Sequence, residues 1–256
     1  MVKPVFLRLF HLPPYQFLPY STVAREHPQV GWNAQPERFV KLKHWIRFLL
    51  YRDSTWHGQF TALAPLLLER TGIERTVVDV GANDGFYSSN SYPFIARGWR
   101  GLLIEPNPAV FRKAQRLHKG RQQVTLLNAA CSDVEGTLEL QTYAGDDADG
   151  SHSTLRPDAG GASVAARQSG ATIQVKVHRL ESLLKEYHIP QGFGLLTIDT
   201  EGHDLQVLRG ANMEHYRPQV IITEINPDDE EKSAFLRENS YRLHATLAYD
   251  TVWTRS

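Results

Sequence analysis

Five short apolar runs constrain this chain more than any other feature: "TVVDVG" from Thr76, "RGLLIEP" from Arg100, "VTLLNAA" from Val124, "FGLLTIDT" from Phe193 and "PQVIITEI" from Pro218. They hold few charges, as strands covered on both faces do. Helical stretches separate most of them, so the economical architecture is a mostly parallel α/β sheet with right-handed crossovers, a Rossmann-like fold.

Two segments depart from simple alternation. Between Gly136 and Leu180, "TLELQTY" and "TIQVKVHRL" have strand period, and predict extra antiparallel strands around a long Gly/Ser/Asp/Ala-rich loop over 144–170. Near the C-terminus, "YRLHATL" and "TVWTR", joined by "AYD", predict an antiparallel hairpin that closes the sheet edge. Ahead of the alternating region, residues 1–38 are rich in aromatics and prolines without a sustained period, which suggests an irregular arm. Phe39, Leu42, Trp45, Ile46, Leu49 and Leu50 then fall on one helical face. A second helix, in "GQFTALAPLLLERTG", is expected to end at Gly72. The chain thus divides into an N-terminal extension, 1–72, and a main domain, 73–256.

Lys and Arg number 28 and Asp and Glu 28, so no global field favours nucleic acid, and the expected partner is a small molecule. The single cysteine, Cys131, excludes an intramolecular disulfide framework and a cysteine-rich zinc site. No run of about 18 apolar residues exists, and Lys, Arg, His and Pro interrupt the opening "MVKPVFLRLFHLPPYQF", so no integral membrane segment and a cytoplasmic location are expected. The aromatic N-terminal segment could bury itself against a second subunit as easily as against its own domain, which leaves a homo-oligomer open.

In a parallel sheet, ligands collect at the carboxyl ends of strands where the strand order reverses. Gly81 and Gly85 flank the first such turn. A dinucleotide-binding turn would carry glycine where this chain has Asn83, which disfavours a nicotinamide-dependent oxidoreductase. An acidic group at Asp79 and backbone donors suit an amino-acid end. Glu105, twenty residues after Gly85 at the second strand end, suits the hydroxyls of a ribose. An amino acid joined to a nucleoside is S-adenosylmethionine.

The successive segments "VVDVGANDGFYS", "LLIEPNP", "NAACSD", "LLTIDTEGHDLQVLRG" and "VIITEI" resemble the motifs of the FkbM family of S-adenosylmethionine-dependent methyltransferases, from about Gln59 to Ile225. The resemblance implies a class I methyltransferase sheet over 73–256. It places Asp79, Gly81, Asn83 and Gly85 around the methionine half of the cofactor, with Ser88, one turn into a following helix, on its carboxylate. Glu105 would hold the ribose, and Asn128 and Ser132 would border the adenine. The chain departs from the family at Asp84, where an aliphatic residue is usual.

Methyl transfer also needs an acceptor held in line and relieved of a proton. Asp199 closes the fourth strand run, His203 follows four residues later, and Glu224 lies near the end of the fifth. Two carboxylates on adjacent strand ends repel, so one is protonated or a cation or basic group lies between them. The leading assignment makes His203 the general base, with Asp199 and Glu224 orienting base and acceptor. In a variant, the carboxylates share a divalent cation such as magnesium. The expected reaction is O-methylation of a small molecule, a glycan or a secondary metabolite. The alternatives are N-methylation of an amide or amine, and a non-catalytic domain that binds the cofactor or a partner.

Overall fold

Val77 and Val78 point to opposite faces of one strand, and each is fully buried in a different hydrophobic cluster. That strand is β1 (Glu74–Val80), preceded by helix α1 (Gln59–Leu67). There follow α2 (Tyr92–Ile95), β2 (Arg100–Ile104), α3 (Pro108–Leu117), β3 (Val124–Leu127), β4 (Ala130–Ser132), β5 (Gly136–Tyr143), β6 (Thr154–Leu155) and β7 (Ser169–Arg179). The remainder is α4 (Leu180–Glu186), β8 (Phe193–Ile198), α5 (Asp204–Arg209), β9 (Val220–Glu224), α6 (Asp229–Glu238), β10 (Tyr241–Leu247) and β11 (Asp250–Arg255). These elements come from a computed structural model that describes residues 48–49, 53–55, 59–143, 154–155, 169–226 and 228–256. All of them belong to one compact unit, Lys41–Ser256. The N-terminal arm, most of the helix expected around Trp45, and the 144–168 loop apart from Thr154 and Leu155 lie outside the described residues.

The main sheet has seven strands in the order β10-β11-β9-β8-β1-β2-β3. β1, β2, β3, β8 and β9 run parallel, and β11 inserts antiparallel between β9 and β10. This is the α/β, Rossmann-like sheet with the antiparallel C-terminal hairpin that the sequence predicts. Strand order reverses between β1 and β8, which makes their carboxyl ends the topological switch point.

Alternation along the strands supplies both cores. One face packs Val78, Leu102, Ile104, Leu196 and Ile221 against α4 and α5, and the other packs Val77, Leu103, Leu195 and Ile222 against Phe94, Trp99 and the buried face of α1. Each fully buried side chain of this size is worth about 1.5–3 kcal/mol relative to exposure. Through Phe60, Leu63 and Leu67, α1 shares the core of the sheet. It stops at Leu67, short of Gly72, which takes φ 76° in the turn that enters β1.

Two further expectations need correction. The run "VTLLNAA" is two strands in two sheets: β3 pairs with β2, whereas β4 pairs with β7 in a separate four-stranded sheet, β4-β7-β5-β6. The side-chain amide of Asn128 donates to the carbonyls of Glu105 and Pro106, each at 2.9 Å, and the chain changes sheets there. Nor does a helix begin at Gly85. The Asp84 carboxylate accepts the N–H groups of Phe86 (2.9 Å) and Tyr87 (2.8 Å), Ser88 adopts φ 58°, and helix resumes only for the four residues of α2. Among the described residues no helix is long and apolar enough to cross a membrane.

Candidate active site

The carboxyl ends of β1, β2 and β8 converge on one cleft. Gly81 and Ala82 donate their N–H groups to the Ile104 carbonyl at 3.0 and 3.1 Å, and Asp199 donates its N–H to the Val80 carbonyl at 3.0 Å. Gly81, Asn83, Glu105, Asp199 and Glu201 line the cleft, and Ala130 and Cys131 of β4 with Leu140 of β5 supply a wall. The second sheet is therefore part of the site. Burial pushes the Cys131 thiol far up, so it is a neutral wall group.

Glu105 is 6% exposed. Its Oε2 accepts the Asn83 N–H at 3.0 Å and its Oε1 the Asn107 N–H at 2.7 Å, which leaves lone pairs on both oxygens for hydroxyl donors. Burial pushes its carboxyl up to about 7, against the two N–H groups that pull it down and the Asp79 charge that adds to the rise. Asn83 holds φ 49°, and its side-chain oxygen is buried with no partner among the described residues. A buried orphan acceptor on the wall of a cleft is a place for a ligand donor.

The remaining predicted cofactor residues stand further back. Asp79 is buried and is not among the lining residues. Its Oδ2 accepts from Ser91 Oγ at 2.5 Å, and burial raises its carboxyl to about 6 despite that bond. Gly85 lies against the His118 ring. Ser88 is half-buried in the loop ahead of α2. The Asn128 amide is occupied with the backbone after β2, and Ser132 is buried against His203.

On the other side of the switch point stand three carboxylates. Asp199, Glu201 and Glu224 each offer one oxygen, and these oxygens all lie within 4.8 Å of one another. The sequence places Asp199 beside Glu224; Glu201 is the member it missed, brought in by φ 54° at Glu201 and 97° at Gly202. Asp199 opens to the cleft, yet protein surrounds it at longer range. That depth, and then repulsion from Glu224, Glu201, Asp204 and Asp250, holds its carboxyl well above the usual range. Glu224 is raised as well, by burial and by Glu201, Asp204 and Asp250.

His203, the residue just before α5, is 8% exposed. Its Nε2 lies 2.9 Å from Ser132 Oγ, and Ser132 can give its only proton to Asp133 Oδ1 at 3.1 Å. The tautomer that fits this network has the imidazole proton on Nε2. Burial lowers the basicity of the ring, against the nearby Asp133 and Asp228 charges.

The sequence profile of the methyltransferase FkbM domain matches residues 79–243, well over half of the chain. The methyltransferase sdnD of Sordaria araneosa is 29% identical over 167 residues, which are 55% of this chain and 61% of that protein. The chain thus spans less than two thirds of that relative's length. Among solved structures, the FkbM methyltransferase of Methylobacillus flagellatus KT is matched over 92% of this chain and 57% of its own, at 16% identity and a TM-score of 0.44. The METTL16 methyltransferase domain is matched over 87% and 81%, at 11% identity and a TM-score of 0.48. The profile match covers the glycine turn, Glu105, the three carboxylates and strands β2, β8 and β9, and the chain belongs to the FkbM methyltransferase family.

Proposed function

We propose that this domain transfers a methyl group from S-adenosylmethionine to a hydroxyl oxygen of a small molecule, with the carboxylates of Asp199, Glu201 and Glu224 receiving the acceptor. The observation that carries this reading is their convergence at a cleft that Asp199 and Glu201 line together with Glu105 and Asn83. Family membership implies the methyl donor, and the wall fits it: an acidic strand end for ribose hydroxyls, a side-chain acceptor with no partner among the described residues, and the backbone of a glycine turn. Bound there, S-adenosylmethionine supplies an electrophilic sulfonium methyl group.

The residues of this chain do the rest. Glu105 and Asn83 hold the donor, Ala130, Cys131 and Leu140 exclude water from one side, and a carboxylate of the trio takes the acceptor proton. A carboxyl raised by its neighbours is a better base than an ordinary one. The sequence reading gave that role to His203. Because His203 is not among the residues that line the cleft and its Nε2 is bonded to Ser132, it is instead assigned to holding the β4 wall.

A divalent cation shared by the trio is the second way to balance its charge, and would lower the pKa of a bound hydroxyl. The same acidity draws ammonium groups, and this keeps N-methylation of an amine as the second reading. The test is calorimetric titration with S-adenosylhomocysteine of wild type and Glu105→Ala, followed by transfer of labelled methyl to alcohol and amine acceptors with magnesium or chelator. Binding weakened about a hundredfold in Glu105→Ala, with label on an alcohol, supports the proposal. Equal binding in both proteins, or label on amines alone, would reject it.

A further inference from the structure

Behind the three carboxylates, and absent from the lining of the cleft, lies a fully buried ion pair. Asp204 is 0% and Lys232 1% exposed. Both bond to the segments that carry the trio. Asp204 Oδ1 accepts the backbone N–H of Thr200 at 3.0 Å and the Thr200 hydroxyl at 2.6 Å. Its Oδ2 accepts the backbone N–H of Glu224 at 3.2 Å and stands 3.7 Å from Lys232 Nζ. Lys232 Nζ donates to the backbone carbonyl of Glu224 and to Asp229 Oδ1, the latter at 2.9 Å.

One carboxylate thus ties the segment after β8 to the end of β9. Thr200 sits between Asp199 and Glu201, so fixing its N–H and hydroxyl fixes the peptide that bears both acids. Glu224 is held at its own N–H and carbonyl. Its carboxylate has a further donor in the Asn226 amide, which reaches Glu224 Oε2 at 3.0 Å when its nitrogen faces that way.

Stability alone does not account for this arrangement. A buried ion pair gains little over well-packed apolar residues, because both charges must leave water. What the pair supplies is direction: bonds along fixed vectors to two strand ends, next to a turn that holds Glu201 in a left-handed conformation. We propose that Asp204 and Lys232 form a clamp that sets the position of Glu224 relative to Asp199 and Glu201, and that both are positioning residues for methyl transfer. This rests on the reading of the trio as the acceptor site.

The test uses Asp204→Ala, the milder Asp204→Asn and Lys232→Met in the full chain. Three readouts are taken: kcat and KM for transfer, S-adenosylhomocysteine affinity, and amide hydrogen exchange at Thr200, Glu224 and Asp199. The Asp199 N–H donates to the Val80 carbonyl and serves as the internal control. The clamp requires kcat to fall by about 10–100-fold in Asp204→Ala and Lys232→Met, with cofactor affinity kept within about twofold. It also requires protection to drop at Thr200 and Glu224 in Asp204→Ala but not at Asp199. Asp204→Asn, which keeps an oxygen for Thr200, should lose less.

Unchanged kcat, or protection lost equally at Asp199, would overturn the clamp. If wild type transfers methyl to no acceptor, the function reading fails on its own and exchange with cofactor binding decides the clamp. Selective deprotection with intact binding supports it, and general deprotection or lost binding overturns it.

Discussion

A methyl group added at Gly81 would lie 1.8 Å from the carbonyl oxygen of Asp199. The first residue after β1 and the first after β8 therefore touch backbone to backbone, and the cleft opens directly above that contact. Gly81 also holds φ 86°, so the position demands glycine on two counts. Gly81→Ala is expected to cost roughly 2–4 kcal/mol, from left-handed strain and forced separation of the strand ends. S-adenosylhomocysteine binding should fall below detection even where the variant folds. Thermal melts and calorimetry check both.

Glu105 gives a pH signature of known sign. Its folded-state value of about 7 lies above the ordinary 4.5, so the folded protein holds this proton more tightly than the unfolded chain. The stability it contributes is present below about 4.5 and is lost as pH rises through 7. His118 works the other way: burial lowers it to about 4, and stability is lost as pH falls from 6.5 toward that value. Comparing wild type with Glu105→Gln separates the two. The variant should be the more stable at pH 8, by roughly 1–3 kcal/mol, and the gap should close near pH 5. If Glu105 accepts the ribose hydroxyls as proposed, S-adenosylhomocysteine affinity in wild type should move oppositely, weakening below about pH 7 as its carboxylate protonates. Melting temperatures and titrations across that range test both curves.

The trio and His203 are told apart by substitution. Glu224→Gln keeps the shape of the side chain and removes its proton affinity; turnover should drop by about 10²–10³-fold with cofactor affinity nearly unchanged. His203→Ala removes the partner of Ser132 and leaves a buried hydroxyl short of a bond, at a cost of about 1–2 kcal/mol. Its turnover should fall by less than about tenfold. Steady-state kinetics beside denaturant unfolding decides between them, and the reverse ranking would return the base to His203.

What could be read from sequence follows from how local each cause is. The strand runs and the turn glycines report on nearest neighbours, and the meeting of Asp199 and Glu224 follows once β8 and β9 are adjacent. The split of "VTLLNAA" leaves a weaker mark. A single polar residue, Asn128, separates Leu126 and Leu127 from Ala129 and Ala130, and periodicity does not say to which sheet a strand bonds. Lys232 was hidden differently. In "DEEKSAFLRE" a lysine among acids has the pattern of a solvated helix face, and only the packing of α6 on β10 and α5 turns it inward, onto the Glu224 carbonyl. Ser88 was misplaced because the Asx turn at Asp84 delays the helix, an outcome set by one side-chain oxygen.

The same trio has an outer neighbour in Asp250, which pairs with Glu224 across β9 and β11. Like charges in directly opposed positions destabilise a sheet. Here Gln59 of α1 relieves Asp250, its Nε2 donating to Asp250 Oδ2 at 2.5 Å. Burial nevertheless raises Asp250 to about 6, with the Gln59 bond and Lys232 opposing and the Asp204 charge adding to the rise. Removing the donor by Gln59→Ala should leave a buried carboxylate under-satisfied and cost about 1–3 kcal/mol at pH 8. Because protonation of Asp250 relieves that charge, the penalty should shrink as pH falls through 6. Adding Asp250→Asn to Gln59→Ala should restore most of the loss at pH 8 and little at pH 5, a pattern that melting curves of the two variants would show directly. A penalty independent of pH would instead assign the loss to the packing of α1, and the charge relation between Gln59 and the acidic strand ends would be rejected.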